Sequence, residues 1–389
     1  MRKLKFTLFA IPFLLLLNSK EASAYPDFIG YGYSSCITCH YNGLGGGALN
    51  DYGRALFATE ITARDVYSKD TDEEEIAAES GFLGKTQMPW WFRPGLKYRG
   101  LWYKVNPGSN QTIEKYVNMQ QDVNLNFFAD KKQNIALITT LSYADAYPPH
   151  SQVNEWDFYM KEYYLRWKAN NNLWFYLGQM DKAYGIRNVD HTAVNRSPIT
   201  LGQFDQSQGL IAHFTYPTWD IAAEAFFGNS YEKDSERYKG GSITGEYQVY
   251  EKFKVGGSLL HEENDSARWD LAAVTSRLGL SKGSSVLAEV GLQQKKDKVA
   301  NTDATLGTYA WIESLISIRR GYNILTSIEA SKSDINKSSA ENLKYSFGAM
   351  MFPLPRTELR FMAVNGKAYD DQSGQYDSWM LQSQIHISY

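Results

Sequence analysis

From residue 90 to the C-terminus, apolar and polar positions alternate with a period of two, interrupted by short turns and longer polar loops. That period belongs to half-buried strands, not helices. It predicts strands at 90–104, 113–129, 132–144, 155–169, 171–183, 207–216, 217–229, 237–250, 252–262, 268–279, 283–297, 303–318, 320–332, 342–352, 355–365 and 378–389. Sixteen is an even number, and each strand is near the ten or so residues that a tilted bilayer span needs. The connections alternate as well. Gaps at 105–112, 145–154, 184–206, 230–236, 263–267, 298–302, 333–341 and 366–377 are long, and those between them are tight. Long loops at one end and short turns at the other predict a mainly β chain. Its architecture is a 16-stranded antiparallel transmembrane β-barrel, whose closure removes the sheet edges.

Alternation also assigns faces. Trp219, Ile221, Ala223, Ala225 and Phe227 point to lipid, as do Val117, Met119, Val123, Leu125 and Phe127. Asp122, Asn124, Asn126, Glu162, Arg166, Asp220, Glu224, Glu289, Gln293, Glu313, Glu329, Glu358 and Arg360 then point to the lumen. Acids outnumber bases in that set, so the expected lumen favours cations. The terminal strand carries Trp379, Leu381, Ile385, Ile387 and Tyr389 on one face. It ends in an aromatic residue, the form in which barrel assembly machinery receives such strands.

Composition fits this picture. Aromatic residues make up 14% of 389 residues, although mean hydropathy is -0.43. A barrel with an apolar outside, a polar lumen and aromatic girdles has that balance. A formal net charge of -3 gives no basis for nucleic-acid binding.

The N-terminus is built differently. Arg2, Lys3 and Lys5 precede an apolar run from Phe6 to Leu17, and Ala22-Ser23-Ala24 is a small-residue cleavage site. Residues 1–24 therefore read as a signal peptide, too short to span a membrane. This places the mature chain outside the cytoplasm, in the outer membrane of a Gram-negative bacterium. The division is 1–24 signal peptide, 25–89 N-terminal segment and 90–389 barrel. The N-terminal segment is too small for a comfortable independent domain. It is expected to plug the barrel or sit at its periplasmic mouth.

That segment contains Cys36-Ile37-Thr38-Cys39-His40, with the only two cysteines in the chain. Two thiols at this spacing followed by histidine form the attachment signature of a c-type haem. Cys36 and Cys39 would carry one haem c per chain, and His40 would bind its iron. A thioredoxin-like pair needs a βαβ setting, which the pattern lacks. A zinc site needs further ligands, and none of Cys or His type follows before Met88. Residues 41–47 are glycine-rich, which permits tight turning beside a haem. Residues 48–61 read as a helix with Leu49, Tyr52, Leu56 and Phe57 toward one side. Arg54 on it is a candidate for a haem propionate, with a solvated charge as the alternative. Met88 is the candidate sixth ligand in this segment, and the wall offers Met160, His213, Met350, Met362 and His386. Residues 70–79 form an acidic run that reads as a solvated helix.

Together the signal peptide, the Cys-x-x-Cys-His motif, Leu49-Asn50-Asp51-Tyr52-Gly53-Arg54 and the sixteen strands resemble the fused monohaem cytochrome–porins. The resemblance covers the whole architecture, but its motifs lie within about residues 25 to 60. It implies thioether anchors at Cys36 and Cys39, an axial ligand at His40, and a Gly-Arg motif at Gly53 and Arg54. It also implies iron oxidation at the cell surface. The chain departs from that family over Tyr31-Gly32-Tyr33-Ser34-Ser35.

The expected function is outer-membrane electron transfer between a periplasmic soluble electron carrier and an extracellular donor or acceptor, with Fe(II) as one candidate. Asp190, His191, Asp370, Asp371 and Asp377 are the acidic and imidazole groups expected near the outer mouth. The alternative is a porin for solute or ion diffusion, in which loop 184–206 folds inward and the haem segment is a gate or sensor.

Overall fold

The computed structural model describes residues 26–33, 35–68, 70–84, 88–106, 112–143, 157–188, 190–300, 302–337, 341–370 and 374–389. The expected leader at 1–24 and Asp371 lie outside these residues.

The strands close into one antiparallel barrel of sixteen, β1 to β16, each paired with its sequence neighbours and β16 paired with β1. They run β1 Phe92–Asn106, β2 Ile113–Phe128, β3 Ile135–Tyr143, β4 Phe158–Lys168, β5 Leu173–Met180, β6 Ser207–Thr215, β7 Trp219–Phe226 and β8 Lys239–Tyr250. The second half comprises β9 Phe253–Glu263, β10 Ala267–Gly279, β11 Ser285–Asp297, β12 Thr305–Arg319, β13 Tyr322–Lys332, β14 Glu341–Leu354, β15 Thr357–Asp370 and β16 Gly374–Ser388. Outward-facing Leu137, Leu165, Leu177, Leu210, Leu259, Val274, Val290, Phe347 and Phe361 are exposed in an apolar band. Such a band is the surface a lipid-facing barrel presents. Phe92 stacks on Phe127 at 5.0 Å, Trp167 on Phe175 at 5.5 Å, and Tyr216 on Trp219 at 4.2 Å. These pairs form an aromatic rim at the short-turn end.

Two β-bulges correct the alternation. Arg99 pairs with Gln120 but Gly100 pairs with Asn118, so Met119 is an extra residue in β2. One extra residue moves every later side chain to the other face. Tyr116 therefore faces out, and Val117 and Met119 turn toward the lumen, not toward lipid. In β4, Thr140 pairs with Glu162 and Leu141 with Met160, leaving Lys161 extra. Met160 consequently shares the outward face with Leu141 and is not a lumen residue. The last outer loop is also shorter than the polar composition of 366–377 suggested. Backbone pairing continues from Lys367↔Asp377 to Asp370↔Gly374. Ladder bonds are indifferent to side-chain polarity, so polar residues extend the hairpin. The connection after β9 shrinks likewise to 264–266.

Two segments fill the bore. Residues 181–206, after β5, fold inward from the long-loop end. Lys182 pairs with Glu262 of β9 at 2.5 Å. The Ile186 amide donates to Glu289 of β11 at 2.7 Å, and the Val194 amide to Glu329 of β13 at 2.9 Å. Lumen carboxylates here serve as acceptors for backbone and lysine.

The N-terminal segment enters from the short-turn end. It contains α1 Pro26–Gly30, a 3-10 turn Cys36–Thr38, α2 Asp51–Leu56 continuing into a π-helical turn Phe57–Ile61, and α3 Glu73–Glu79. α2 is capped by Asn50, whose side chain accepts from the Gly53 amide at 2.8 Å. Asp72 caps α3 in the same way at 2.7 Å. The expected helix over 48–61 is thus shorter, and Tyr52 is exposed, touching Tyr33 and not the interior. Phe28 and Ile61 pack with Leu315, Leu325, Met350 and Phe352 of the wall, and Tyr41 packs with Phe128, Ile138, Tyr164 and Tyr176. Met350 and Met362 belong to this apolar packing. Turn residues hold the rim: the Ala63 amide donates to Phe352 O at 2.9 Å, and Arg320 Nε to Thr62 O at 2.8 Å. The segment is a plug seated in the short-turn half of the bore.

Candidate functional site

Cys36 to His40 form a compact hairpin. The Cys39 and His40 amides both donate to Cys36 O, at 3.2 and 2.9 Å, which winds the 3-10 turn. His40 then bridges to Leu49 in antiparallel fashion. The chain returns between them through Gly45, Gly46 and Gly47, all left-handed with φ of 88, 74 and 65°. Three such residues in succession suit glycine, which lacks the Cβ clash. Asn50 secures the hairpin from below. Its amide donates to Cys39 O at 2.8 Å and its Nδ2 to Thr38 O at 2.9 Å. A Cβ on Gly53 would lie 2.3 Å from Cys39 O. The Leu-Asn-Asp-Tyr-Gly-Arg run is therefore the support that seats α2 against the two-cysteine turn.

The barrel wall and the inward segment grip the hairpin. Arg166 Nη1 donates to Tyr41 O at 3.4 Å, and its guanidinium lies 5.7 Å from the Tyr41 ring centre. The Gly43 amide donates to Tyr176 Oη at 3.2 Å. Arg187 Nη1 donates to Gly45 O at 2.9 Å, and Lys97 Nζ donates to Gly47 O. Arg277, paired with Glu246 at 2.7 Å, places Nη1 3.6 Å from Cys36 Sγ.

Between hairpin and wall lies a cavity of about 250 Å³, open to solvent and bordered by Cys36, His40, Gly45, Gly46, Gly47, His191 and His386. Its charged lining is Lys97, Arg99, Lys161, Arg187, Arg196 and Arg277 against Asp122, Glu162, Asp181 and Glu313. A second space of about 100 Å³ also borders His40, with Arg54, Phe57, Arg356, Glu358, His386 and Tyr389 in its lining.

Cys36 borders the large cavity, whereas Cys39 is fully buried and borders neither space. Burial pushes the Cys39 thiol up to about 12, with the neighbouring Cys36 adding to the shift. Burial, aided by Lys97 and Arg187, lowers His40 to about 4. The imidazole is therefore neutral near pH 7, the form that binds a metal. His40 Nδ1 is buried with no hydrogen-bond partner. A neutral imidazole, the Cys36 thiol, bare glycine walls and nearby cations to meet two carboxylates fit a haem at this motif, whereas the packed Cys39 thiol would have to turn toward the cavity to form the second thioether.

The other expected sites fare differently. Met88 precedes β1 and does not border either space around His40. Arg54 borders the second space, but its guanidinium is engaged by Asp51, which Arg93 Nε also meets at 2.8 Å. His213 is fully buried, with Nε2 at Asp220 and its ring boxed against Gly43. Asp190 accepts from Thr192 and faces Lys344 at 3.9 Å. Among the described residues no group of three or more His, Cys, Asp or Glu side chains stands ready to hold a metal ion. The expected cation-favouring lumen is also corrected. Glu262, Glu329, Glu358 and Asp122 pair with Lys182, Lys344, Arg360 and Lys161. The chamber beside His40 carries more bases than acids.

Arg187 and Arg196 leave no mark in the sequence pattern because irregular segments carry no periodic signal. Lys97 and Arg99 did have one. Alternation with Leu96 and Tyr98 in β1 points both inward.

The barrel has the porin fold. OprB of Pseudomonas putida at high pH superposes with a TM-score of 0.59 at 9% identity, over 77% of this chain and 94% of that one. The trimer form of OmpT of Vibrio cholerae gives 0.58 at 8% identity, over 77% and 100%. An anion-selective porin from Comamonas acidovorans gives 0.57 at 10% identity, over 77% and 99%. No protein-family model and no curated protein matches the sequence.

Proposed function

We propose that this chain is an outer-membrane porin-type barrel whose plug carries one haem c, attached at Cys36 and Cys39 with His40 on the iron, and that it moves single electrons across the membrane. The observation that carries this reading is the position of the Cys-x-x-Cys-His hairpin. It sits inside the bore, gripped by Arg166, Arg187 and Lys97, beside a cavity that Cys36, His40 and the glycine run border together. The porin fold, the exposed apolar band and the aromatic rim support the outer-membrane location.

When bound, the haem would supply a one-electron couple partway along the bore. The protein's part is positioning and electrostatics. His40 presents a neutral imidazole, and the glycine run leaves room for a flat macrocycle. Lys97, Arg99, Arg187 and Arg196 offer cations for its carboxylates. Arg187 also joins the plug to the segment folded in from the long-loop end. A soluble periplasmic carrier would exchange electrons at the short-turn end and an external donor or acceptor at the other. Fe(II) is the donor implied by the family resemblance; the basic chamber gives it no electrostatic help.

A second reading is a diffusion porin in which the plug acts as a gate. The likeness to an anion-selective porin favours it, and the excess of bases beside His40 suits anions. Two measurements separate the readings. Protein matured with the cytochrome c assembly machinery should stain for covalent haem on a denaturing gel and lose the stain in Cys36→Ser/Cys39→Ser. In planar bilayers the haem-loaded protein should be nearly non-conducting. No stain, together with large open conductance, selects the porin.

A further inference from the structure

His386 lies on β16 beside the seam where the barrel closes. Its backbone pairs with Arg99 of β1 on one side and Glu358 of β15 on the other. Three observations single it out. It borders both spaces that His40 borders. Its Nδ1 lies 3.4 Å from Glu358 Oε2, and Glu358 is itself held by Arg360 Nη2 at 2.9 Å. Its Nε2 is buried and has no hydrogen-bond partner.

That combination is costly unless something is meant to meet the nitrogen. A buried, unsatisfied imidazole nitrogen forfeits its hydration without compensation. A carboxylate on one ring nitrogen with the other left free is also the arrangement that orients histidine toward a metal. His213 has the same pairing, Nε2 on Asp220 with Nδ1 buried and unpartnered, but it borders neither space around His40 and its Nδ1 is packed against Gly43. His261 is half-exposed on the outer face beside Asp270. His191 borders only the larger space, from a loop and not from the wall.

We propose that His386 Nε2 is the second axial ligand of the haem iron, with Glu358 as the positioning residue. This rests on the haem reading of the Cys36–His40 motif. The plug would then be tied through the iron to the final strand, so haem loading and retention of the plug are linked. Two imidazoles would also leave no iron position for small ligands, as suits electron transfer. They would set a lower potential than a histidine–methionine pair.

The test uses the full-length, matured protein in detergent, read by optical and electron paramagnetic resonance spectra and by carbon monoxide binding to the reduced state. Wild type should be low-spin and refuse carbon monoxide. His386→Ala should become high-spin or bind carbon monoxide, and added imidazole should restore the low-spin spectrum. His386→Met should stay low-spin with a raised midpoint potential. Glu358→Gln should keep the ligand but shift the potential. Heat-modifiable mobility on gels reports whether each barrel has folded. Covalent haem with His386→Ala spectra unchanged from wild type overturns this inference alone, and the parallel variants His191→Ala and Met119→Leu would then find the ligand. Carbon monoxide binding to wild type also overturns it. No covalent haem in wild type overturns the underlying reading and this inference with it.

Discussion

Arg187 spans the two segments that fill the bore. Its Nη1 donates to Gly45 O of the plug at 2.9 Å, and its Nη2 donates to the Asp181 and Lys182 carbonyls of its own segment at 2.6 and 3.2 Å. One guanidinium thus latches the plug to the inward segment. Arg187→Ala should remove about 1.5–3 kcal/mol of charge-assisted hydrogen bonding from that latch. The expected outcome is a rise in open events in single-channel recordings. Lysine at this position should rescue poorly, since it lacks the planar fork.

Gly53 sets how closely α2 approaches the two-cysteine turn. An added Cβ would stand 2.3 Å from Cys39 O and 2.9 Å from Cys39 Cα. Gly53→Ala should cost about 1–3 kcal/mol of plug docking through overpacking. Limited proteolysis should cut the N-terminal segment sooner, while the heat-modifiable mobility of the barrel stays unchanged.

Lys182 and Glu262 form a buried pair at 2.5 Å, with Lys182 Nζ also 5.3 Å from the Phe226 ring centre. Removing one partner leaves an uncompensated buried charge, a loss of roughly 3–5 kcal/mol. Lys182→Met should therefore destabilise the anchored segment in denaturant titrations. The double variant Lys182→Met/Glu262→Leu should recover most of the loss, because both desolvation penalties vanish together.

Glu232, in the connection between β7 and β8, has its carboxyl raised from 4.5 to about 7 by burial. The folded state holds the proton more tightly than the unfolded chain does. Its contribution to stability is thus fully present below about pH 4.5 and is lost as pH rises through about 7. Hydrogen exchange in residues 227–238 should be slower at pH 5 than at pH 8 by more than the intrinsic chemical change. Glu232→Gln should flatten that difference.

The barrel was legible because its information is local. Period two, strand length and turn spacing are properties of consecutive residues, and they located each of the sixteen strands to within a few positions. The faces were legible wherever the ladder stayed regular, as with Asp122, Glu224 and Glu289, all buried in the lumen. They failed at Met119 and Lys161, where one inserted residue reverses the phase without any mark in side-chain type. The lengths of the last hairpin and of the connection after β9 were misjudged because polarity shapes loops only statistically.

Cys36, Cys39 and His40 are legible in the sequence, since the c-type attachment signature is a fixed spacing along the chain. Their support by Asn50 and Gly53 was present as a motif but had no physical content until α2 was seen pressed against Cys39. What borders the cavity together with His40 is a different kind of fact. His386 is separated from it by nearly the whole barrel in sequence, and only closure of β16 on β1 brings the two to the same space. The lumen charge is likewise a tertiary property: the carboxylates are read from alternation, but their pairing with Lys182, Lys344, Arg360 and Lys161 depends on which strands and segments meet. The sequence alone determined a sixteen-stranded barrel behind a two-cysteine motif, because backbone period and motif spacing are local. The tertiary structure alone decided that the motif lies inside the bore and which wall residues surround it, because long-range pairing cannot be read from local pattern.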